Sequence, residues 1–387
     1  MAIEIRTPTD DDLPAMVRLD GLVFGTMWKP DDFEKVRPTI ELDRFRIAVD
    51  HDQIVGVAGS FGFEMTLPGG GSVPTGGVTW VAVVVTHRRQ GVLRRMLDAV
   101  HDDIDARDEP LAALTASEGA IYERFGYGIA AFDRHVEIDR RRAQLRDGVH
   151  PTPGSVRLGE GDELVGILAD RWERGRVGRP GEISRSEAWH RKNIAQRGEA
   201  TVYAVHDHGY ASWKVTDNWN QGLPQHELRL HELIAATPAA HLDLWATVLS
   251  VDLVGPIRTG NLPFDDPLQY LLVDHRLVRT LGLNDGVWLD VRDVPRCFDA
   301  RTYGTEDDVV IEADGVRWRI GAGGCRKVRT RPDLIGPGAS LSALLLGGVR
   351  PSTLAAGRRL EVRNSEALRR ADALFVTSPV PYNQTGF

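Results

Sequence analysis

The stretch VAVVVTHRRQGVLRRML, residues 81–97, decides how the chain is read. A strand-like apolar run, VTWVAVVV (78–85), ends at Val85. A turn with Arg88, Arg89 and Gly91 follows. Apolar residues then recur at helical spacing, with Leu93, Leu97, Val100 and Ile104 on one face. The pattern predicts a buried strand, a tight turn and an amphipathic helix. A helix starts with backbone N–H groups that lack intrahelical partners, and with positive partial charge. Gly91 lets the backbone approach a ligand closely. Such a turn suits a pyrophosphate, and the arginines can add charge-assisted hydrogen bonds. An ordinary strand–turn–helix with solvated arginines has the same pattern, so the flanks must choose.

Upstream, IEIR (3–6) reads as a strand and TPTDDDLPAMVRL (7–19) as a helix with a Thr/Asp-rich cap. RFRIAVDHDQIVGVAGSFGFEM (44–65) alternates on both sides of DHD, a hairpin pattern. LPGGGSVPTGG (67–77) reads as a loop. Downstream, LAALTAS (111–117) predicts a strand and EGAIYERFGYG (118–128) a short helix running into a turn. Single helices between strands indicate an α/β unit with a mixed central sheet.

The composition turns polar from Arg141 to Pro153, which places a boundary near 150. Beyond it, ATVYAVHDHGYASWKV (200–215) predicts a hairpin. HELRLHELIAATPAAHLDLWATVLSVDLV (226–254) predicts a strand and a helix capped at ATP. This repeats the first order in outline, without an arginine turn. TLGLNDG (280–286) reads as a second break. After it VWLDVRDVPRCFDA (287–300), DDVVIEADGVRWRIG (307–321) and SLSALLLGGVRPSTLAA (340–356) predict a further α+β module. The expected division is therefore 1–150, 151–285 and 286–387. A length of 387 residues suits two or three domains.

The net charge of −8 makes nucleic acid an unsuited partner and leaves a cationic substrate compatible. No apolar run reaches the roughly 20 residues of a membrane helix, and the N-terminus lacks the pattern of a secretory signal. The two cysteines, Cys297 and Cys325, form no C-x-x-C and read as reduced thiols in a cytoplasmic protein. The histidines are scattered, so no metal is expected.

RRQGVL (88–93), following a strand, resembles the R/Q-x-x-G-x-(G/A) turn by which GNAT acetyltransferases bind the pyrophosphate of acyl-CoA. Position 93 is Leu where that pattern prefers Gly or Ala. IYERFGY (121–127) resembles the Y-x-x-x-G-(F/Y) element that carries a general-acid tyrosine in that superfamily, here Tyr122. THRRQGVLR, ASEGAIYERFGYG, LHELIAATPAAHLDLW and a terminal aromatic after a Pro-containing segment together resemble the Eis (enhanced intracellular survival) acetyltransferases over essentially the whole chain.

That resemblance implies an α/β, α+β architecture: two GNAT-like domains with mixed sheets, the second degenerate, and a C-terminal domain like sterol carrier proteins. It implies acetyl-CoA as co-substrate and small polyamine-like acceptors such as aminoglycosides, acetylated at more than one amine. It also implies a homohexamer. Carried onto this sequence, Val81, Ala82 and Val83 would polarise the thioester through backbone N–H groups. Arg88, Arg89, Gln90, Gly91, Val92, Leu93 and Arg94 would hold the pyrophosphate. Ser117 and Glu118 would line the pantetheine path. Tyr122 would be the general acid, and the C-terminal carboxylate of Phe387 the general base. A free α-carboxyl has a pKa of about 3.3–3.7, so its value as a base would lie in placement or burial.

Asp20, Trp28, Glu64 and Trp80 are candidates to border the acceptor cleft, with core or surface roles as the plainer reading. Protein or peptide lysine acetylation is a rival activity. Lipid binding or scaffolding through the C-terminal domain is a rival of another class.

Overall fold

The computed structural model describes residues 3–26, 29–160 and 163–387, so Trp28 lies outside the described residues. Alternating apolar residues fold the N-terminal part into β1 (Glu4–Arg6), β2 (Phe45–Asp50) and β3 (Gln53–Thr66). His51 and Asp52, both at positive φ, close the β2–β3 hairpin with a two-residue turn. The helix expected over 7–19 begins later, as α1 (Leu13–Phe24). Its entry is a 3-10 turn over Asp10–Asp12, where the Thr9 N–H donates to the Asp12 carboxylate at 2.8 Å. The short α2 (Pro30–Val36) follows.

The stretch 67–77 is not all loop: β4 (Ser72–Val83) begins inside it. The glycines there answer to packing, not to a turn. A Cβ on Gly76 would lie 2.6 Å from Ile104, and one on Gly77 would lie 2.4 Å from the Phe63 ring. The strand also ends at Val83 rather than Val85, and Val85–His87 forms a 3-10 turn. Then α3 (Val92–Ala106) buries Val92, Met96, Leu97, Val100 and Ile104, and returns the chain to β5 (Leu111–Leu114), parallel to β4. The short helix expected over 118–128 is a single 3-10 turn, Glu123–Phe125, because Gly126 at φ +97° stops it. Next comes β6 (Gly128–Ile129).

The second sheet takes β7 (Phe132–Asp139), β8 (Val156–Leu158), β9 (Val202–His206) and β10 (Gly209–Thr216). Between β8 and β9 lie α4 (Leu164–Arg176) and α5 (Glu187–Arg197). A small hairpin, β11 (Trp219–Asn220) and β12 (Leu223–Pro224), precedes β13 (His226–Ala235), α6 (Pro238–Leu249) and β14 (Val254–Leu262). Thr237 caps α6 by accepting from the Ala240 N–H. β13 and β14 are parallel across α6, as β4 and β5 are across α3. After the short α7 (Leu268–Leu271), the stretch expected as a break is an edge strand, β15 (Val278–Asp285), antiparallel to β7. Most of its side chains are exposed, so no alternation of burial marks it in the sequence.

The chain then returns to the first sheet. β16 (Trp288–Val291) fits between β5 and β6, giving the order β1-β2-β3-β4-β5-β16-β6. The third module follows: α8 (Val294–Asp299), β17 (Asp308–Ala313), β18 (Val316–Gly321), β19 (Arg326–Lys327) and β20 (Leu334–Gly336). Then come α9 (Gly338–Leu344), α10 (Pro351–Ala356), β21 (Glu361–Val362) and α11 (Ser365–Phe375). Its core is continuous with that of the first sheet: Phe298, Leu344 and Phe375 belong to the same buried cluster as Phe45, Phe61 and Phe63. Cys297 and Cys325 are buried free thiols, pushed up in pKa first by burial. Among the described residues no helix is long and apolar enough to cross a membrane.

Candidate active site

Two irregularities in β4 open the first sheet. β4 pairs with β5 only over Thr75–Gly77, opposite Leu111–Ala113. Beyond that point β4 continues to Val83 while β5 ends at Leu114, so the strands part. On the other side Val57 pairs with Ala82 and Gly59 with Thr79, so Trp80 and Val81 together oppose Ala58. This is a β-bulge, with Trp80 at φ +52°. It resets the alternation. Val81 and Val83 face the opening, whereas Ala82 is 2% exposed and belongs to the core.

The opening continues into a cleft of about 590 Å³ between β4, the N-terminus of α3 and the Tyr122 turn. Gly91 sits at φ +77°, and a Cβ built on it would meet nothing within 4 Å, so the space beside it is open. The first bond of α3 runs from the Arg95 N–H to the Gly91 carbonyl at 3.1 Å. The N–H groups of Val92, Leu93 and Arg94 therefore precede the helix ladder and point out of its end. Arg88, Arg89 and Arg94 stand exposed around them.

Of the sequence-derived candidates, Val81, Val83, Arg88, Arg89, Gly91, Val92, Leu93, Arg94, Ser117, Glu118 and Tyr122 line this cleft. Ala82 is turned into the core, and the Gln90 amide donates to the Thr86 carbonyl at 3.1 Å. The cleft also takes Val23, Phe24, His87, Ile121, Arg124 and Phe125, which the sequence reading did not single out. Phe125 lay inside the quoted tyrosine element. Its ring sits 5.2 Å from both the Arg94 and Arg124 guanidinium groups, and so ties the N-terminal turn of α3 to the Tyr122 turn. Phe24 is an aromatic left 45% exposed at the end of α1, which only the fold reveals.

Tyr122 is buried, and its pKa is raised by that burial and by Glu118, which keeps it a phenol at neutral pH. Its ring meets Tyr127 edge-on at 6.0 Å, and the Tyr127 hydroxyl lies 2.9 Å from His101 Nε2. Burial lowers the His101 pKa to about 4, so that imidazole is neutral. From the far side, β16 and α9 brace the turn. A Cβ on Gly126 would lie 2.3 Å from the Asp290 carboxylate, and one on Gly128 would lie 2.0 Å from the Ala339 carbonyl.

The last residues run back between the domains. Tyr382, Asn383, Gln384 and Thr385 are buried, Gly386 is exposed and Phe387 half-buried. The Phe387 ring packs on Phe63 at 5.2 Å, and a Cβ on Gly77 would approach it to 3.1 Å. Thr115 Oγ1 donates to a Phe387 terminal oxygen at 3.3 Å. The chain end thus lies at the fork where β4 and β5 part, beside Thr115, which precedes Ser117 of the cleft wall by two residues.

Residues 4–130 and 181–292 each match the acetyltransferase (GNAT) domain family, and residues 294–384 match the sterol carrier protein domain family. N-acetyltransferase Eis of Mycobacterium tuberculosis is 35% identical, with all of both chains covered. The chain belongs to the Eis family of N-acetyltransferases. An uncharacterised N-acetyltransferase of Streptomyces avermitilis is 33% identical, again over all of both chains. The crystal structure of Eis1 from Mycobacterium abscessus superposes with a TM-score of 0.90 at 29% identity, covering all of both chains.

In this Eis-family chain the cleft belongs to the first GNAT domain. In the second, only Ala236 and Thr237 stand between strand and helix where the first has its arginine turn. Three acceptor candidates fall outside the cleft lining. Asp20 is buried on α1. Glu64 is half-buried on β3 and accepts from the Ser72 hydroxyl at 3.2 Å. Trp80 packs edge-on against Phe45 at 5.7 Å. Among the described residues no group of three or more His, Cys, Asp or Glu could hold a metal.

Proposed function

We propose that this acetyltransferase uses acetyl-CoA to acetylate amines of small polycationic molecules, aminoglycosides among them, with Tyr122 as general acid and the Phe387 carboxylate as general base. The observation that carries the reading is the chain end held at the β4–β5 fork, with Thr115 donating to it. The cleft on the other side of that fork suits the co-substrate: an open glycine, free helix N–H groups and three exposed arginines form a pyrophosphate seat. Bound there, acetyl-CoA supplies an activated acetyl thioester.

Val81 and Val83 line the cleft, and their backbone N–H groups would donate to the thioester carbonyl oxygen, where negative charge develops. The Phe387 carboxylate takes the proton that the attacking ammonium group must lose, directly or through water. The Tyr122 hydroxyl gives its proton to the departing sulfur. Its raised pKa keeps that proton available at neutral pH. The exposed Gly386 and half-buried Phe387 leave the carboxylate open to a small cation. The division at about 150 and 285, a cytoplasmic location and a homohexameric assembly belong to the same proposal, on the family resemblance.

The test is a chain extended by one glycine after Phe387, assayed with acetyl-CoA and an aminoglycoside panel. A positioned base is worth roughly 10²–10⁴-fold, so kcat should fall by that order while acetyl-CoA affinity and folding persist. Normal turnover by the extended enzyme would remove the terminal carboxylate from the mechanism.

A further inference from the structure

Residues 177–186 join α4 to α5 in the second domain. This linker is bonded in three directions. Toward the first sheet, the Gly181 N–H donates to the Thr66 carbonyl at 2.8 Å, and the Thr66 N–H to the Glu182 carbonyl at 2.9 Å. Likewise, the Ser184 N–H donates to the Glu64 carbonyl at 2.9 Å, and the Glu64 N–H to the Ser184 hydroxyl at 2.8 Å. The linker is therefore an added rung on β3, beside the Phe63 ring that receives Phe387.

Toward the tail, the Tyr382 N–H donates to the Pro180 carbonyl at 2.9 Å and the Arg179 guanidinium to the Val380 carbonyl at 2.9 Å. The Glu182 carboxylate accepts from the Gln384 N–H at 3.4 Å and from the Gln384 amide at 3.2 Å. Arg185 Nε donates to Thr385 Oγ1 at 2.9 Å. Gly181 is at φ +93°, and a Cβ there would lie 2.9 Å from the Tyr382 carbonyl.

Toward the second sheet, Arg185 Nη1 donates to Glu232 at 2.8 Å, while Arg197 and the Tyr210 hydroxyl donate to the other Glu232 oxygen at 2.6 and 2.9 Å. The Arg185 guanidinium also stacks on Trp172 at 3.3 Å. Arg185 and Glu232 are both buried. A buried ion pair contributes little net stability once desolvation is counted, but it fixes geometry.

We propose that Glu182 and Arg185 are positioning residues that set how far the tail is threaded, so that the Phe387 carboxylate stops beside Thr115. Only Gly386 separates Thr385 from Phe387, and the two residue steps span about 7 Å of extended chain at most, so fixing Thr385 tightly limits where the carboxylate can lie. The second domain, which lacks the arginine turn, thereby serves the first as a clamp. The role assigned to the clamp in catalysis rests on the reading of Phe387 as base.

The test uses the full chain and two readouts: release of Phe387 by carboxypeptidase A, followed by mass spectrometry, and kcat with the KM for acetyl-CoA. Thr385→Val removes only the tail side of the Arg185 bond, so it spares the buried network. Glu182→Gln keeps the shape and one acceptor. Loss of one such bond is worth about tenfold in a local equilibrium. Each variant should release Phe387 about tenfold faster and lose about tenfold in kcat, with the KM for acetyl-CoA within about twofold. Arg185→Lys, which keeps the charge, should retain more activity than Arg185→Ala. Unchanged release in both Thr385→Val and Glu182→Gln, with the fold intact, overturns the clamp. Faster release with unchanged kcat leaves the clamp standing and overturns the carboxylate as base.

Discussion

Glu182→Gln should stabilise the protein at alkaline pH, even as it loosens the tail. Glu182 is 1% exposed. Burial raises its pKa from 4.5 to about 7, against the pull of Arg185, the two Gln384 donors and Arg179. Arg185 and Arg179 lie on its own linker, Tyr382 and Gln384 on the tail, and His241 of α6 and Asp266 line the same small cavity. Between pH 4.5 and about 7 the folded chain keeps a proton that the unfolded chain has released. Stability therefore falls as pH rises through that window, and the full penalty stands above it. The difference of about 2.5 units corresponds to roughly 3 kcal/mol. Glutamine mimics the protonated acid and escapes this penalty, but it leaves one Gln384 donor unpaired, at about 1 kcal/mol. The net gain at pH 8 is about 2 kcal/mol. For a chain of this length unfolding as one unit, that is a rise in Tm of about 2–3 °C. Calorimetry of both proteins at pH 8 and pH 5 checks it: the gain should disappear at pH 5. An equal or lower Tm for the variant at pH 8 would refute the reasoning.

Tyr122→Phe removes the proposed proton donor and little else. Steady-state kinetics should show kcat lower by about 10²-fold or more, with the KM for acetyl-CoA within about threefold. Arg88→Ala combined with Arg89→Ala should raise that KM by about tenfold and leave kcat nearly unchanged. Both side chains are exposed, so the effect should shrink as salt is added.

The parts of the site that follow local chemical rules were legible in the sequence. Arg88, Arg89, Gly91 and Tyr122 occur at spacings set by a strand–turn–helix and a short turn, and all four line one cleft. What escaped depends on packing partners far along the chain. Gly76 and Gly77 look like loop glycines until Ile104, Phe63 and Phe387 are seen to occupy the space their side chains would need. The bulge at Trp80 is set by pairing with β3, and it decides that Val81 and Val83, not Ala82, face the opening. β15 has mostly exposed side chains and so carries no apolar period for a sequence to display. The Arg185–Glu232–Thr385 contacts join residues up to 200 positions apart, and no spacing rule reaches that far.

Because β16 fills the gap between β5 and β6, the nascent chain cannot close its first sheet until Val291 has left the ribosome. The arginine turn and Tyr122 emerge early and must wait, with a sheet edge exposed, while the second domain is made. The chain end reaches the fork last of all. A product that lacks only its last residues, through late termination or trimming by a protease, would keep the arginine turn and its cleft but lose Phe387. On the role proposed for Phe387, such a fragment would bind acetyl-CoA without the base, so completing the chain would itself switch the enzyme on.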